Sequence, residues 1–496
     1  LQEYRLFING QSEAASDGKK SQTIEPGTEE PWAEVASASI DDVDRAVTAA
    51  RKAHESGVWR NKSPEERASV IQNIANRVLA RTEELAPISV RDGGATMRTA
   101  RMAEIMGTVA ALSYYSGLAK ELVEEDEQTE MAPVASKNLV RREPVGVVAA
   151  ITPFNMPMAL SCWKIGPALA AGNTIVLKPS PNAPVLALML GEIAAEAGVP
   201  DGVVNVIASP DPAVGEALVT HPSVNKISFT GSTRTGKAIL ASASKNLTPV
   251  LLELGGKSAD IVLEDADLDT AARGAAFGMF WHSGQVCMAG TRILVADKVY
   301  DEFVGKLVDV TNTIKVGDPM QMTTDMGPLV SGPQLENTQK FVQSAIDDGC
   351  DLLCGGGRPE GLPKGYFHEP TVFGNVRNDM QVAREEIFGP VAAVIRVQDD
   401  EEAVRVANDS DYGLAGGVWT KDIERGKSIA RQVEAGTMWV NDWHMLNMKY
   451  PFGGYKNSGI GRELGPFGLA EYQQIKHVHV GEPSGPKPYT AMLFGA

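Results

Sequence analysis

Three side chains of complementary chemistry lie far apart in the chain: Asn155, Glu253 and Cys287. Cys287 sits in Trp281-His282-Ser283-Gly284-Gln285-Val286-Cys287-Met288-Ala289-Gly290. There the apolar helical run Ala272 to Phe280 loses its pattern at Gly284, and the strand-like Ile293-Leu294-Val295 follows. A thiol at such a helix-to-loop break can meet a substrate while nearby backbone N–H groups stay free, and its thiolate is a nucleophile. A lone cysteine is as readily a buried apolar residue, so the rest of the chain decides. Glu253 stands in the apolar run Leu251-Leu252-Glu253-Leu254 ahead of Gly255-Gly256. Burial there raises a carboxylate toward the range of a general base; the alternative is a buried Glu bonded to backbone. Asn155 lies between two prolines in Thr152-Pro153-Phe154-Asn155-Met156-Pro157. Such a rigid turn offers a fixed N–H₂ donor of the oxyanion-hole kind, or an Asn that only stabilises the turn.

A second set of residues suits an anionic ligand. The strand-like Ile227-Ser228-Phe229 leads into Thr230-Gly231-Ser232-Thr233-Arg234-Thr235-Gly236, and a helical stretch begins at Lys237. Glycines at a strand-to-helix turn let backbone approach a pyrophosphate, and the helix N-terminus favours its charge. The spacing is not G-x-G-x-x-G, and a plain glycine turn is an equal reading. Lys178 ends the strand-like Thr174-Ile175-Val176-Leu177 before Pro179, at the kind of sheet edge where dinucleotides bind. It reads as a donor to an adenosine ribose or phosphate, or as a solvated strand-end lysine.

The elements that must hold these groups follow from patterning. Arg5 to Gln11 reads as a strand entering an Asn9-Gly10 hairpin turn. Ser39 with Asp42, and Ser63-Pro64-Glu65-Glu66, are helix starts of capping-box type. Helical pattern continues to about Glu121, and Glu124 to Glu127 reads as a solvated face or loop. From Val145 the pattern alternates strand and helix, with apolar runs at 147–151, 174–178, 204–207 and 226–229. A second alternation begins near Ser258, with runs at 259–263, 391–395 and 438–441. Two doubly wound parallel sheets are expected, with a cleft between them, and a loop-like Pro/Gly-rich tail after Gly481.

Composition narrows the partners. The 496 residues hold 46 Lys+Arg against 63 Asp+Glu, a formal charge of −17. That balance argues against nucleic acid or an anionic membrane as partner. Four cysteines make no disulfide framework. Cys350 and Cys354 have no matching pair at zinc spacing, so no metal is expected. With no apolar run of membrane-spanning length and no signal-peptide pattern, a cytoplasmic location is expected.

Seven stretches in order carry a resemblance: TPFNMP, GPALAAGNTIVLKPS, FTGSTRTG, LELGGKS, GQVCMAG, EEIFGPV and PFGGYKNSGIGRELG. With them the chain resembles the aldehyde dehydrogenase superfamily from about Arg5 to Val480. The resemblance implies an NAD(P)-dependent oxidoreductase with Rossmann-like α/β domains that converts an aldehyde to the acid. Cys287 would be the nucleophile, forming a thiohemiacetal and then a thioester. Asn155 and the Cys287 N–H would hold the oxyanion, Glu253 would activate the hydrolytic water, and Glu463 would serve a proton relay or a local salt bridge. Lys178, Ser180, Gly231, Ser232, Gly236 and Leu254, with Ile151 to Phe154, would contact the cofactor. Glu386 and Phe388 would clamp its nicotinamide end. NAD is favoured. Pro181 stands where many NAD-preferring members carry a glutamate, so NADP stays open.

By position, the substrate tunnel would be lined by Met156, Leu160, Trp163, Trp281, Val286, Met288, His444, Leu446 and Phe452. Most are apolar or aromatic and none is Arg or Lys, which suits a bulky apolar aldehyde: aliphatic, aromatic or terpenoid. Trp163, Trp281 and Phe452 form a partial aromatic box for a betaine-aldehyde-type quaternary ammonium, with Met156 where another aromatic would serve better. A CoA-acylating enzyme and a non-catalytic NAD-binding structural protein are the other readings, and the presence of Glu253 and of all three groups weighs against each. The expected plan places a dinucleotide-binding domain in 1–121 and 143–256 and a catalytic domain in 257–456. An oligomerisation arm and tail would take 122–142 and 457–496, and a homodimer or homotetramer is implied.

Overall fold

The computed structural model describes residues 1–130, 136–481, 483, 487, 489, 490 and 493, so most of the tail after Gly481 lies outside the described residues. An eight-stranded sheet contains β1 (Val147–Thr152), β2 (Thr174–Pro179), β3 (Lys226–Thr230) and β4 (Val250–Glu253). These four strands pair in parallel in the spatial order β4-β3-β1-β2. Their apolar runs are continuous because helices cover both faces, and Val147 to Ala150 are fully buried. The chain moves outward from β1 through β2 to Val204–Val206, then returns to place β3 and β4 on the other side of β1. The order therefore reverses between β1 and β3. Loops leaving the carboxyl ends of such neighbours diverge and open a crevice. The Asn155 turn leaves β1 there, and the Gly231-Ser232 turn leaves β3.

A seven-stranded sheet repeats the plan around Ala259–Val262, flanked by Arg292–Ala296 and Ala415–Trp419, all parallel. The chain passes from β4 to this second sheet in five residues, through Gly255 and Gly256. The expected arm strands form an antiparallel sheet of Glu125–Glu130, Ser136–Pro144 and Gln473–Gly481. The acidic run lies on an exposed strand of it, with Glu125 and Glu127 paired to Arg141 and Lys137. One grouping is corrected. Gly459–Ile460, assigned by sequence to the arm and tail, pairs with β4 and extends the first sheet. Its residues return to cover the edge that would otherwise leave β4 unpaired.

Helix starts match their sequence signals. Ser39 and Ser63 close capping boxes with Asp42 and Glu66, and Asn9 and Gly10 take the positive φ of the hairpin turn. Helix α1 (Pro157–Ala170), which follows Asn155, is different, because no side chain at its own start caps it. Its free N–H groups at Met158 and Ala159 instead donate to Glu104, fully buried on the π-helical segment Ala100–Ile105. Burial lifts Glu104 to about 8 and Asp92, which accepts from Val185 N–H, to about 7. Both bind their proton more tightly folded than unfolded. Their contribution is therefore complete below the ordinary carboxylate range and is lost as pH rises through 7 to 8. The thermal midpoint should fall between pH 6 and pH 8.5, and Glu104→Gln, which keeps an acceptor under α1, should shrink that fall. An unchanged slope in the variant would count against the buried acid as its source.

Candidate active site

A cavity of about 1230 Å³ opens at the crevice between the two sheets and runs past Cys287. With one exception, the residues singled out from the sequence line it. Asn155, Glu253, Cys287 and Glu463 meet there, as do Ile151 to Phe154, Lys178, Ser180, Gly231, Ser232, Leu254, Glu386 and Phe388. The nine expected tunnel residues are on its wall as well. The exception is Gly236. It lies a turn inside helix α2 (Thr233–Ala243), where a Cβ would stand 2.4 Å from the Leu254 side chain. That glycine permits helix-to-strand packing and touches no ligand space.

The Cys287 loop is held from several sides. After α3 (Leu268–Phe280), His282, Ser283 and Gly284 all take left-handed φ of 53°, 58° and 70°. Three such residues in a row need tertiary support. Ser283 Oγ donates to the Gly327 carbonyl at 2.8 Å, and Val330 N–H donates to Gln285 Oε1 at 2.9 Å. Asn155 Nδ2 donates to the Gln285 carbonyl at 3.0 Å, which keeps the amide beside the loop. Gly256 is pressed against the loop from below: a Cβ there would stand 2.3 Å from the Cys287 carbonyl oxygen.

Cys287 is half-buried, whereas Cys162 and Cys350 are buried. A low-pKa thiol was expected here, and the structure overturns that expectation. Burial pushes the Cys287 thiol up, the Glu386 and Glu253 carboxylates push it further, and N–H groups of Met288 and Cys287 offset this only in part. Glu253 is buried with neither carboxylate oxygen bonded among the described residues. Burial first, then Glu463, holds it well above the usual carboxylate range. Glu463 is ion-paired to Lys164 at 2.6 Å with both side chains buried, and Lys164 also donates to Ser228 and Thr230. The salt-bridge reading of Glu463 is thus present, on the wall of the same cavity.

At the other end Ser232 caps α2 by accepting from Thr235 N–H, leaving the helix start facing the crevice. Lys178 is buried, donates to the Ser209 carbonyl at 3.1 Å and is pushed down to about 8 by burial. Glu386 accepts from Gly256 N–H at 3.0 Å and is raised to about 7. Gly255 backs it closely, since a Cβ there would reach 2.1 Å from Glu386 Oε2. Phe388, at φ 56°, meets the Phe154 ring edge-on at 5.6 Å. A helix N-terminus, a buried lysine and a buried carboxylate along one slot fit the phosphate, ribose and nicotinamide parts of a dinucleotide. Among the described residues, no group of three or more His, Cys, Asp or Glu side chains is placed to hold a metal ion, and no helix is long and apolar enough to cross a membrane.

The family model for the aldehyde dehydrogenase family matches residues 13–478. The chain belongs to that family. Its enzyme class is that of an NAD(P)-dependent aldehyde dehydrogenase. It is 41% identical over 477 residues to a betaine aldehyde dehydrogenase of Bacillus subtilis, covering 96% of each chain. A crystal structure of Staphylococcus aureus betaine aldehyde dehydrogenase with NAD⁺ superposes with a TM-score of 0.95 at 37% identity, covering 97% of this chain and 95% of that one. An NAD⁺ complex of Bacillus cereus aldehyde dehydrogenase gives 0.94 at 43%, covering 97% of each.

For an aldehyde dehydrogenase the far end of the cavity is the part that varies, and here sequence reasoning missed several residues. Trp281 Nε1 donates to Thr99 at 3.1 Å, and Phe277 packs on both Trp281 and His444. Met102, Met445 and Phe277 form an exposed apolar rim. Arg98, paired to Asp325, and Arg273 also line the mouth, although the tunnel was expected to hold no arginine. The α3 residues Arg273, Phe277 and Trp281 repeat at i, i+4, i+8, a spacing that places them on one face. Arg98 and Met102 lie too far away in sequence to give any sign. The elevated thiol has a direct readout: iodoacetamide labelling of Cys287 in the free protein should keep accelerating up to pH 9. A plateau below pH 8 would overturn it.

Proposed function

We propose that this aldehyde dehydrogenase is of the hydrolytic kind, oxidising a bulky apolar aldehyde to its carboxylic acid with NAD⁺, and that Cys287 is its nucleophile. The observation that carries the reading is one wall on which a half-buried thiol, an amide donor and an unbonded buried carboxylate converge. Cys287 Sγ attacks the carbonyl carbon and gives a thiohemiacetal. Its proton must leave as the bond forms, because the thiol is protonated at rest. Negative charge on the former carbonyl oxygen is held by the second Asn155 Nδ2–H and the Cys287 N–H. The bound nicotinamide supplies the hydride acceptor. Glu253 then takes a proton from water as that water attacks the thioester, releasing the acid and restoring Cys287. Glu386 and Phe388 orient the nicotinamide end, and Lys178 and Ser232 the adenosine end. No carboxylate stands at Pro181 to repel a 2′-phosphate, so NADP⁺ is accepted as well.

The tunnel supports the substrate class. Trp163 meets Phe452 at 5.5 Å, beside buried Met156, Val286 and Met288. A quaternary ammonium substrate is the second reading. The names of the relatives and the aromatic pair favour it, and the lack of a carboxylate beside that pair opposes it. The antiparallel arm, with Ile475 and Val480 exposed, suits a homodimer or homotetramer.

Reduction of NAD⁺ and NADP⁺ with octanal, benzaldehyde, citral and betaine aldehyde tests the reading. Cys287→Ala should abolish turnover, and kcat/KM for octanal or citral should exceed that for betaine aldehyde at least about tenfold, as expected for several apolar methylenes in an apolar tunnel. Betaine aldehyde ranking first would reverse the substrate class. Glu253→Gln should still form about one NADH per site in a burst and then turn over about 10²–10⁴-fold more slowly. In the wild type that slow step should weaken toward acid pH with a midpoint above the usual carboxylate range. Release of an acyl-CoA with coenzyme A present would instead identify a transferase.

A further inference from the structure

His282 is fully buried and lies outside the set of groups assigned to the reaction. Its backbone holds φ 53° and ψ 36°, a left-handed conformation that is uncommon for a non-glycine residue. The imidazole is hydrogen-bonded to the Asn155 main chain in the sense that favours a protonated ring nitrogen, so the ring N–H donates to the Asn155 carbonyl. Nε2 has no partner among the described residues. From the other side, Asn155 Nδ2 donates to the Gln285 carbonyl at 3.0 Å, and Gln285 N–H donates to the His282 carbonyl at 3.1 Å. These three bonds close a circuit: His282 ring to Asn155 backbone, Asn155 amide to Gln285, Gln285 back to His282. Gln285 is also fully buried and fixed at its own side chain by Val330 N–H and the His282 carbonyl.

We infer that His282 is a positioning residue for the oxyanion site, locking the Asn155 backbone to the nucleophile loop so that the remaining amide N–H points at the reacting oxygen. The inference rests on the reading of Asn155 as oxyanion donor. It explains why the chain accepts left-handed strain at this position: without that turn, the ring would leave Asn155. Burial holds the ring neutral down to about 4, so one N–H carries the contact throughout the working pH range. An amide held at only one of its two sides can rotate away, and a misplacement of an ångström at an oxyanion donor is costly in turnover. Glu104 supports the same residue from a third direction, through the first turn of α1.

A double-mutant cycle separates positioning from general structural support. His282→Phe keeps the ring volume and removes the donor; His282→Asn keeps a short N–H donor and tolerates left-handed backbone. In the wild-type background His282→Phe should lower kcat about tenfold with KM for NAD⁺ unchanged, and His282→Asn should recover most of the loss. In the Asn155→Ala background the same His282→Phe change should cost less than about twofold, because the group it positions is gone. An equal fold-loss in both backgrounds, a loss carried by KM for NAD⁺, or no loss at all would overturn the inference. If Asn155→Ala itself leaves kcat unchanged, the reading of Asn155 fails, a separate result. His282→Ala takes the place of His282→Phe in the same cycle should the phenylalanine variant not fold, with the same two outcomes deciding.

Discussion

Everything at this site depends on how closely two pieces of backbone approach. Gly256 joins the first sheet to the second, and its α-carbon lies against the Cys287 carbonyl with no room for a methyl group. That contact sets the distance between the carboxylate three residues earlier, Glu253, and the thiol on the opposing loop. The chain needs two successive glycines here for two different neighbours. Gly255 makes room for the Glu386 carboxylate and Gly256 for the nucleophile loop. The two sheets are therefore registered by hard-sphere contact, and the cavity between them inherits that precision.

The electrostatics of the empty site run against ionisation. Cys287 and Glu253 are both pushed toward their protonated forms, each by burial and each by a neighbouring carboxylate. The buried cation nearby, Lys164, is already committed to Glu463 and two hydroxyls. A site of this kind carries little free charge at rest and is poised for charge that develops during reaction, where fixed N–H donors act without reorganisation. It also resists adventitious alkylation, because the reactive form of sulfur is scarce.

Much of this was legible in the sequence, for identifiable reasons. Local signals were read directly: the Ser39 and Ser63 caps, the Asn9-Gly10 turn and the buried strand runs appear where short-range chemistry dictates. The catalytic trio and the cofactor slot could be found because each lies at a turn whose glycines or prolines announce it. Gly236 misled because a glycine that admits a helix to a sheet looks, in sequence, like one that admits a ligand. The elevated Cys287 thiol was out of reach because its causes, Glu253 and Glu386, come from elsewhere in the chain. The return of Gly459–Ile460 to β4 and the presence of Arg98 at the tunnel mouth are long-range pairings with no local mark.

The exposed rim of the tunnel has a consequence for how this protein ages. Met102 and Met445 present most of their side-chain surface to solvent, at 76% and 64% exposure, and neither supports the core. Thioethers in that setting are open to peroxide, and a sulfoxide is polar where the sulfide was not. Oxidative damage would then reach the doorway before the interior. A stored sample can keep its fold and its nucleophile while its welcome for greasy substrates fades, and methionine sulfoxide reductases would restore it.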